Sequence, residues 1–156
     1  MSGRPRLRRG DPDNGLRKLF HDRVERCHWQ AMELGVVGAG VPDSNGCADG
    51  ADFWIEYKAT EAWSVGLEPM QVGWILRRTR AGGRVFVAVR RQHDGGPLLG
   101  GPTDELWLYE GWDASILKAE GLRSPAAPIL QMEGGPGGWD WGRVREVLTG
   151  WEFSQR

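Results

Sequence analysis

The chain has 156 residues, 40% of them hydrophobic, and a formal net charge of −1. That length suits one domain with a modest core. No apolar run approaches the roughly 20 residues needed to span a bilayer, and the basic start lacks the apolar stretch of a signal peptide, so the expectation is a soluble, cytoplasmic protein with no membrane partner. Its two cysteines, Cys27 and Cys47, form no CxxC or His/Cys cluster of the kind that holds zinc, and are expected as buried thiols.

In chain order, residues 1–15 read as a disordered basic arm around Arg4, Arg6, Arg8 and Arg9, and residues 16–156 as one domain. Leu16, Leu19, Phe20, Val24, Cys27 and Ala31 follow helical spacing and predict a long helix facing the core. His21 and His28 lie seven apart on it and lack a third ligand, which fits surface or packing roles. The glycines Gly35, Gly38 and Gly40 have neither the order nor the following helix of a dinucleotide loop and read as a turn. A strand from Ser44, the turn Asp49-Gly50 and an aromatic-rich strand from Asp52 to Lys58 predict a hairpin. Leu67 to Arg80 reads as a helix with Gln71, Ile75 and Arg78 on one face. Val85 to Val89 is apolar on both faces, as in a central strand, and Glu105 to Glu110 is a further strand. Asp113 and Asp140 are placed to cap two short helices, with a Pro- and Gly-rich loop between them.

The chemistry concentrates at the hairpin. Glu56 follows Asp43 by thirteen positions, and Lys58 follows two later. Because strand side chains alternate, Trp54, Glu56 and Lys58 share one face while Phe53, Ile55 and Tyr57 share the other. Two neighbouring carboxylates repel unless a positive charge sits between them, and hard oxygen ligands favour Mg2+ or Mn2+ over zinc. A lysine beside such an ion can position water or stabilise charge on phosphorus, which is what phosphodiester hydrolysis needs. The same Glu-x-Lys also occurs on ordinary solvated edge strands. Asp52 shares the face of Glu56 and competes with Asp43 as the second acid.

Charge is uneven in a way that suits a polyanion. Residues 1–30 carry eight Lys/Arg against four acids, and residues 94–156 carry five against ten. No acid lies between Glu68 and Asp94, where Arg77, Arg78, Arg80, Arg84, Arg90 and Arg91 form a block expected to contact DNA phosphates. The bland counterpart is an arginine-rich composition with many of these side chains merely solvated. Most of the nine tryptophans fit core packing; Trp54 and Trp63 lie near enough to the site for base stacking.

Gly40-Val41-Pro42-Asp43, then Trp54 to Thr60 with Glu56 and Lys58, then Leu67 to Gln71 and Ala81 to Val87, together resemble the VRR-NUC branch of the PD-(D/E)xK nucleases, in its small stand-alone phage-type form. The resemblance covers about residues 20–110, and its weight lies in the ordered set. It implies an α/β fold with a restriction-endonuclease-like core of helix, β-hairpin and sheet, helix and strand, followed by a C-terminal extension over 111–156. It implies that Asp43 and Glu56 bind the metal, that Lys58 is the catalytic lysine, and that Gln71 supports it from the next helix. Glu33 matches an upstream acid that completes the site, with Glu25 as its alternative, and the Tyr57 carbonyl is a further metal oxygen. Gln71 also reads as an ordinary helix-surface residue.

The expected activity is magnesium-dependent DNA cleavage, selective for branched DNA as in a Holliday-junction resolvase, in phage recombination, replication or repair within the host cytoplasm. Symmetric double cutting then implies a homodimer. The alternatives are a sequence-preferring duplex endonuclease and a DNA-binding protein of the same fold without catalysis.

Overall fold

The computed structural model describes residues 13–33, 40–98 and 100–150. The basic arm, apart from its last three residues, and the glycine turn before Gly40 lie outside them. Among the described residues four α-helices, α1 (Leu16–Arg23), α2 (Pro69–Arg80), α3 (Ala114–Glu120) and α4 (Trp141–Thr149), surround one sheet. Its strands are β1 (His28–Ala31), β2 (Ser44–Ala48), β3 (Ala51–Thr60), β4 (Arg84–His93), β5 (Thr103–Glu110) and β6 (Leu130–Met132), and they lie side by side in chain order. The protein is therefore mixed α/β. No helix among the described residues is long and apolar enough to cross a membrane.

Every neighbouring pair is antiparallel except β3 and β4, which run parallel. A parallel pair needs a crossover, and α2 supplies it. The β2–β3 turn is made by Asp49 and Gly50, both at positive φ (51° and 77°), as a two-residue hairpin requires. Strand β4 is covered on both sides. Val85, Val87 and Val89 join Val72 and Ile75 of α2 and Leu117 of α3 in one core. Phe86 and Ala88 join Leu16 and Phe20 of α1 and Val144 and Leu148 of α4 in the other. Two apolar faces, each roofed by two helices, make a three-layer arrangement.

Several expectations are corrected at the edges. The first helix stops at Arg23 rather than running on to Ala31; Val24 turns extended, Arg26 takes φ 51°, and residues 28–31 form the edge strand β1. Val24 still reaches the core, which is why the spacing looked helical, but exposed His28 and Gln30 alternate with half-buried Trp29 and Ala31 in the two-residue rhythm of a strand. The helix start is held by Asp13, whose carboxylate accepts the amides of Gly15 and Arg17. Three residues of the Pro- and Gly-rich loop pair with β5 as β6. Cys47 is exposed and Cys27 only half-buried, so neither is a core thiol. Asp140 caps α4 by accepting the Arg143 amide at 2.9 Å, whereas Asp113 makes no side-chain cap on α3.

Arg84 ties the start of β4 to the end of α4: its Nη2 donates to the carbonyls of Val147 at 3.1 Å and Leu148 at 2.9 Å. Those are carbonyls that a helix end leaves without intrahelical donors. Arg84→Met is expected to lower stability by about 1–3 kcal/mol in urea unfolding, while Arg77→Gln on the exposed face of α2 leaves the midpoint unchanged.

Candidate active site

The site forms where the β2–β3 ladder stops. Ser44 opposite Ile55 is the last pair towards the start of β2, and one further step sets Asp43 opposite Glu56. Instead of continuing the ladder, the Asp43 side chain accepts the Tyr57 amide on Oδ2 at 3.0 Å. Its own carbonyl accepts the amide of Met32, just past β1, at 2.8 Å. The incoming chain passes tight against the first turn of α2 at Gly40. That residue has φ 91°, and a Cβ there would sit 2.4 Å from the Met70 carbonyl oxygen. Only glycine meets both demands.

Glu56 is 1% exposed, on the sheet face beneath α2. Gln71 donates from Nε2 to its Oε1 at 2.8 Å, and Lys58 Nζ lies 3.4 Å from the same oxygen. Gln71 is held from behind. Its Oε1 accepts the Glu68 amide at 2.9 Å, and the Glu68 side chain returns a bond to the Gln71 amide, closing a capping box at the start of α2. The other oxygen of Glu56, Oε2, is buried and has no hydrogen-bond partner.

The electrostatics follow from that crowding. Burial, and then the Asp43 charge, push the Glu56 carboxyl up to about 8, against the opposing pull of Lys58. Asp43 is also raised by burial, with the Tyr57 amide, Lys58 and Arg17 acting in the other direction. Two carboxyls thus share a pocket in which one lysine does not neutralise both. Their oxygens are hard donors suited to Mg2+ or Mn2+. A strand residue's carbonyl points to the same side as its amide, so the Tyr57 oxygen is on the β2 side of β3. The Tyr57 ring lies on the opposite face, 2% exposed, in the core with Phe20.

Asp43, Glu56, Lys58 and Gln71 are brought together; other expected members are not. Glu33 is exposed beyond β1, and Glu25 is exposed in the turn before it. Among the described residues no group of three His, Cys, Asp or Glu side chains is placed to hold a metal. Asp52 is exposed at the hairpin, where it accepts a 2.7 Å hydrogen bond from Asn45. His21 and His28 share no helix face: His21 bonds Ser44 Oγ at 2.7 Å and stacks on Trp29, while His28 stands on β1.

The arginine block divides. Arg77, Arg78 and Arg80 are exposed on α2. Arg84 is used on α4, Arg90 forms a two-bonded pair with Asp104 at 2.9 and 2.7 Å, and Arg91 is buried between the Trp63 ring, the Ala62 carbonyl and Glu105. The last three therefore brace the fold instead of standing open to phosphate. Arg17 of α1, whose charge reaches Asp43, has no signal in the sequence; the Glu68–Gln71 box does, as an acid and a glutamine three apart at a helix start. Neither a protein-family model nor a curated protein matches this sequence.

Burial of Glu56 sets a pH dependence. In the folded, metal-free chain the carboxyl keeps its proton to about 8, whereas unfolded it releases it near 4.5. Between those values the unfolded state binds fewer protons, so stability falls as pH rises through that window. Glu56→Gln is expected to flatten this slope and to raise the melting temperature above wild type at pH 8 in chelator, as read by thermal unfolding across pH.

Proposed function

We propose that this chain hydrolyses phosphodiester bonds in DNA with a divalent cation, Mg2+ or Mn2+, held by Asp43 and Glu56. The buried Oε2 of Glu56 beside the Asp43 carboxyl carries the reading, because it is an acid oxygen with no well-formed hydrogen bond and another acid's charge against it. A bound cation would polarise the phosphate and lower the pKa of a coordinated water. The chain's own groups do the rest. Gln71 and the capping box fix the Glu56 rotamer, and Asp43 keeps Oδ1 clear of the Tyr57 amide. Lys58 orients water or offsets charge growing on the phosphate oxygens. The exposed arginines of α2 supply a positive approach for the backbone.

The order α1, β1 to β3, α2, β4 supports a restriction-endonuclease-like PD-(D/E)xK core, with β5, β6, α3 and α4 as the extension. We place the chain beside the VRR-NUC nucleases on the residues Asp43, Glu56, Lys58 and Gln71. Branched DNA is the proposed substrate, cut symmetrically by a homodimer. That no third acid joins the pair among the described residues favours a second reading, a DNA-binding protein of this architecture that does not cut.

Cleavage of end-labelled four-way junction, linear duplex and single-stranded DNA, in Mg2+ and in Mn2+, separates the two. Metal-dependent products that fall by about 100-fold or more in Lys58→Ala support hydrolysis. Symmetric junction nicks support the resolvase form, and cuts in every substrate a general endonuclease. Binding without product in either metal overturns the catalytic reading.

A further inference from the structure

Two residues before Glu56, on the same face of β3, stands Trp54. Phe53 and Ile55, on the opposite face, are fully buried, yet Trp54 is only half-buried. Trp74 of α2 meets it with ring centroids 5.2 Å apart at 60°, an open wedge rather than a closed stack. The guanidinium of Arg78, one helical turn on from Trp74, lies 5.4 Å from each ring centroid. Helix α2 runs antiparallel to β3 here: Gln71 meets Glu56 and Trp74 meets Trp54, so the wedge and the carboxyl pair are neighbours in one row.

The ground beside the wedge is open and polar. Asn45 lies opposite Trp54 across the β2–β3 ladder, and Gln30 lies opposite Asn45 on β1. His28, Cys47 and Asp52 continue the same face one step along, and all three are exposed. Amide, imidazole and carboxylate groups suit the hydrogen-bonding edge of a nucleobase, whereas Asp52 repels phosphate. Exposed positive charge nearby stands on Arg77, Arg78 and Arg80 of α2, with Arg78 against the wedge itself. An aromatic wedge, a polar floor and a cationic rim are the components with which proteins hold an unpaired base and its flanking phosphates.

We propose that Trp54 and Trp74, with Arg78 across their mouth, form a subsite for one unpaired DNA base next to the phosphate that a cation on Asp43 and Glu56 would hold. The planar guanidinium of Arg78 already occupies the ring faces that a base would take. Being exposed, it can swing to the adjoining phosphate when a base enters. Hydrolysis at the carboxyl pair is needed for this inference only to say where the scissile phosphate lies; the stacking itself is read independently of cutting.

The test uses the cleavage-disabled Lys58→Ala chain in Mg2+, with oligonucleotides carrying 2-aminopurine at a single position, either single-stranded or fully duplexed. Binding is followed by anisotropy of an end label, and stacking by quenching of 2-aminopurine. The expected result is quenching of the single strand at one register and little change in the duplex. Trp74→Ala should remove the quenching and weaken single-strand binding by about tenfold or more, with duplex binding retained. Trp74→Phe, which keeps a ring, should preserve most of the affinity. Arg78→Gln leaves both rings in place and should retain quenching with weaker, less salt-dependent binding. Unchanged quenching in a folded Trp74→Ala chain overturns the proposal, as does an equal loss for single strand and duplex, or no quenching at any register. Wild type that quenches but cleaves nothing keeps the subsite and removes the hydrolytic reading.

Discussion

One side chain standing in for a backbone carbonyl organises this molecule. The Asp43 carboxylate accepts the Tyr57 amide where the β2–β3 ladder ends, so β2 can part from β3 without stranding a buried donor. The parting opens the sheet beside Glu56, and the bond itself fixes one oxygen of the acid across from it. A backbone continuation of the ladder would satisfy Tyr57 equally well and close the space. Pro42, with no amide to offer, and Gly40, pressed against the Met70 carbonyl, hold the chain to the diverging path.

The burial of Glu56 is costly by the same logic. An acid at 1% exposure with one oxygen unbonded and another carboxyl beside it raises the energy of the metal-free fold at neutral pH. The surrounding structure is built to tolerate it. Gln71 is clamped in a capping box so that its amide points at one oxygen, and the parallel β3–β4 pairing puts Glu56 beside Val87 in the buried middle of the sheet. Strain of this kind is concentrated at functional positions.

What sequence could reveal was governed by the distance over which each decision is taken. The alternation in β3, the Asp49-Gly50 turn, the doubly apolar β4 and the Asp140 cap are local, and each element formed where its residues indicated. The facing of Glu56 and Lys58 followed from strand periodicity alone, and Lys58 lies 3.4 Å from Glu56. The failures lie where short segments depend on their neighbours. Four residues of β1 and three of β6 carry too little pattern to overrule helical spacing or a run of Gly and Pro, and both strands exist only because a longer strand offers them an edge. The Glu33 expectation came from its place in an ordered set of motifs, and Glu33 stands exposed just past β1.

The arginines show why charge counted along a chain misplaces a binding surface. Six cations without an intervening acid suggest one continuous patch, but the groups that occupy half of it come from elsewhere. Arg91 pairs with Glu105 directly across the β4–β5 ladder, Arg90 with Asp104 on the diagonal two residues along, and Arg84 finds carbonyls at the end of α4. The acid-rich C-terminal stretch is thus partly the counter-charge of the arginine-rich middle, laid against it by the antiparallel hairpin. Strand arginines are consumed by cross-strand partners, while those on the outer side of α2 face no such strand. Among the six, exposed cations then survive along α2, the helix whose first turn carries Gln71.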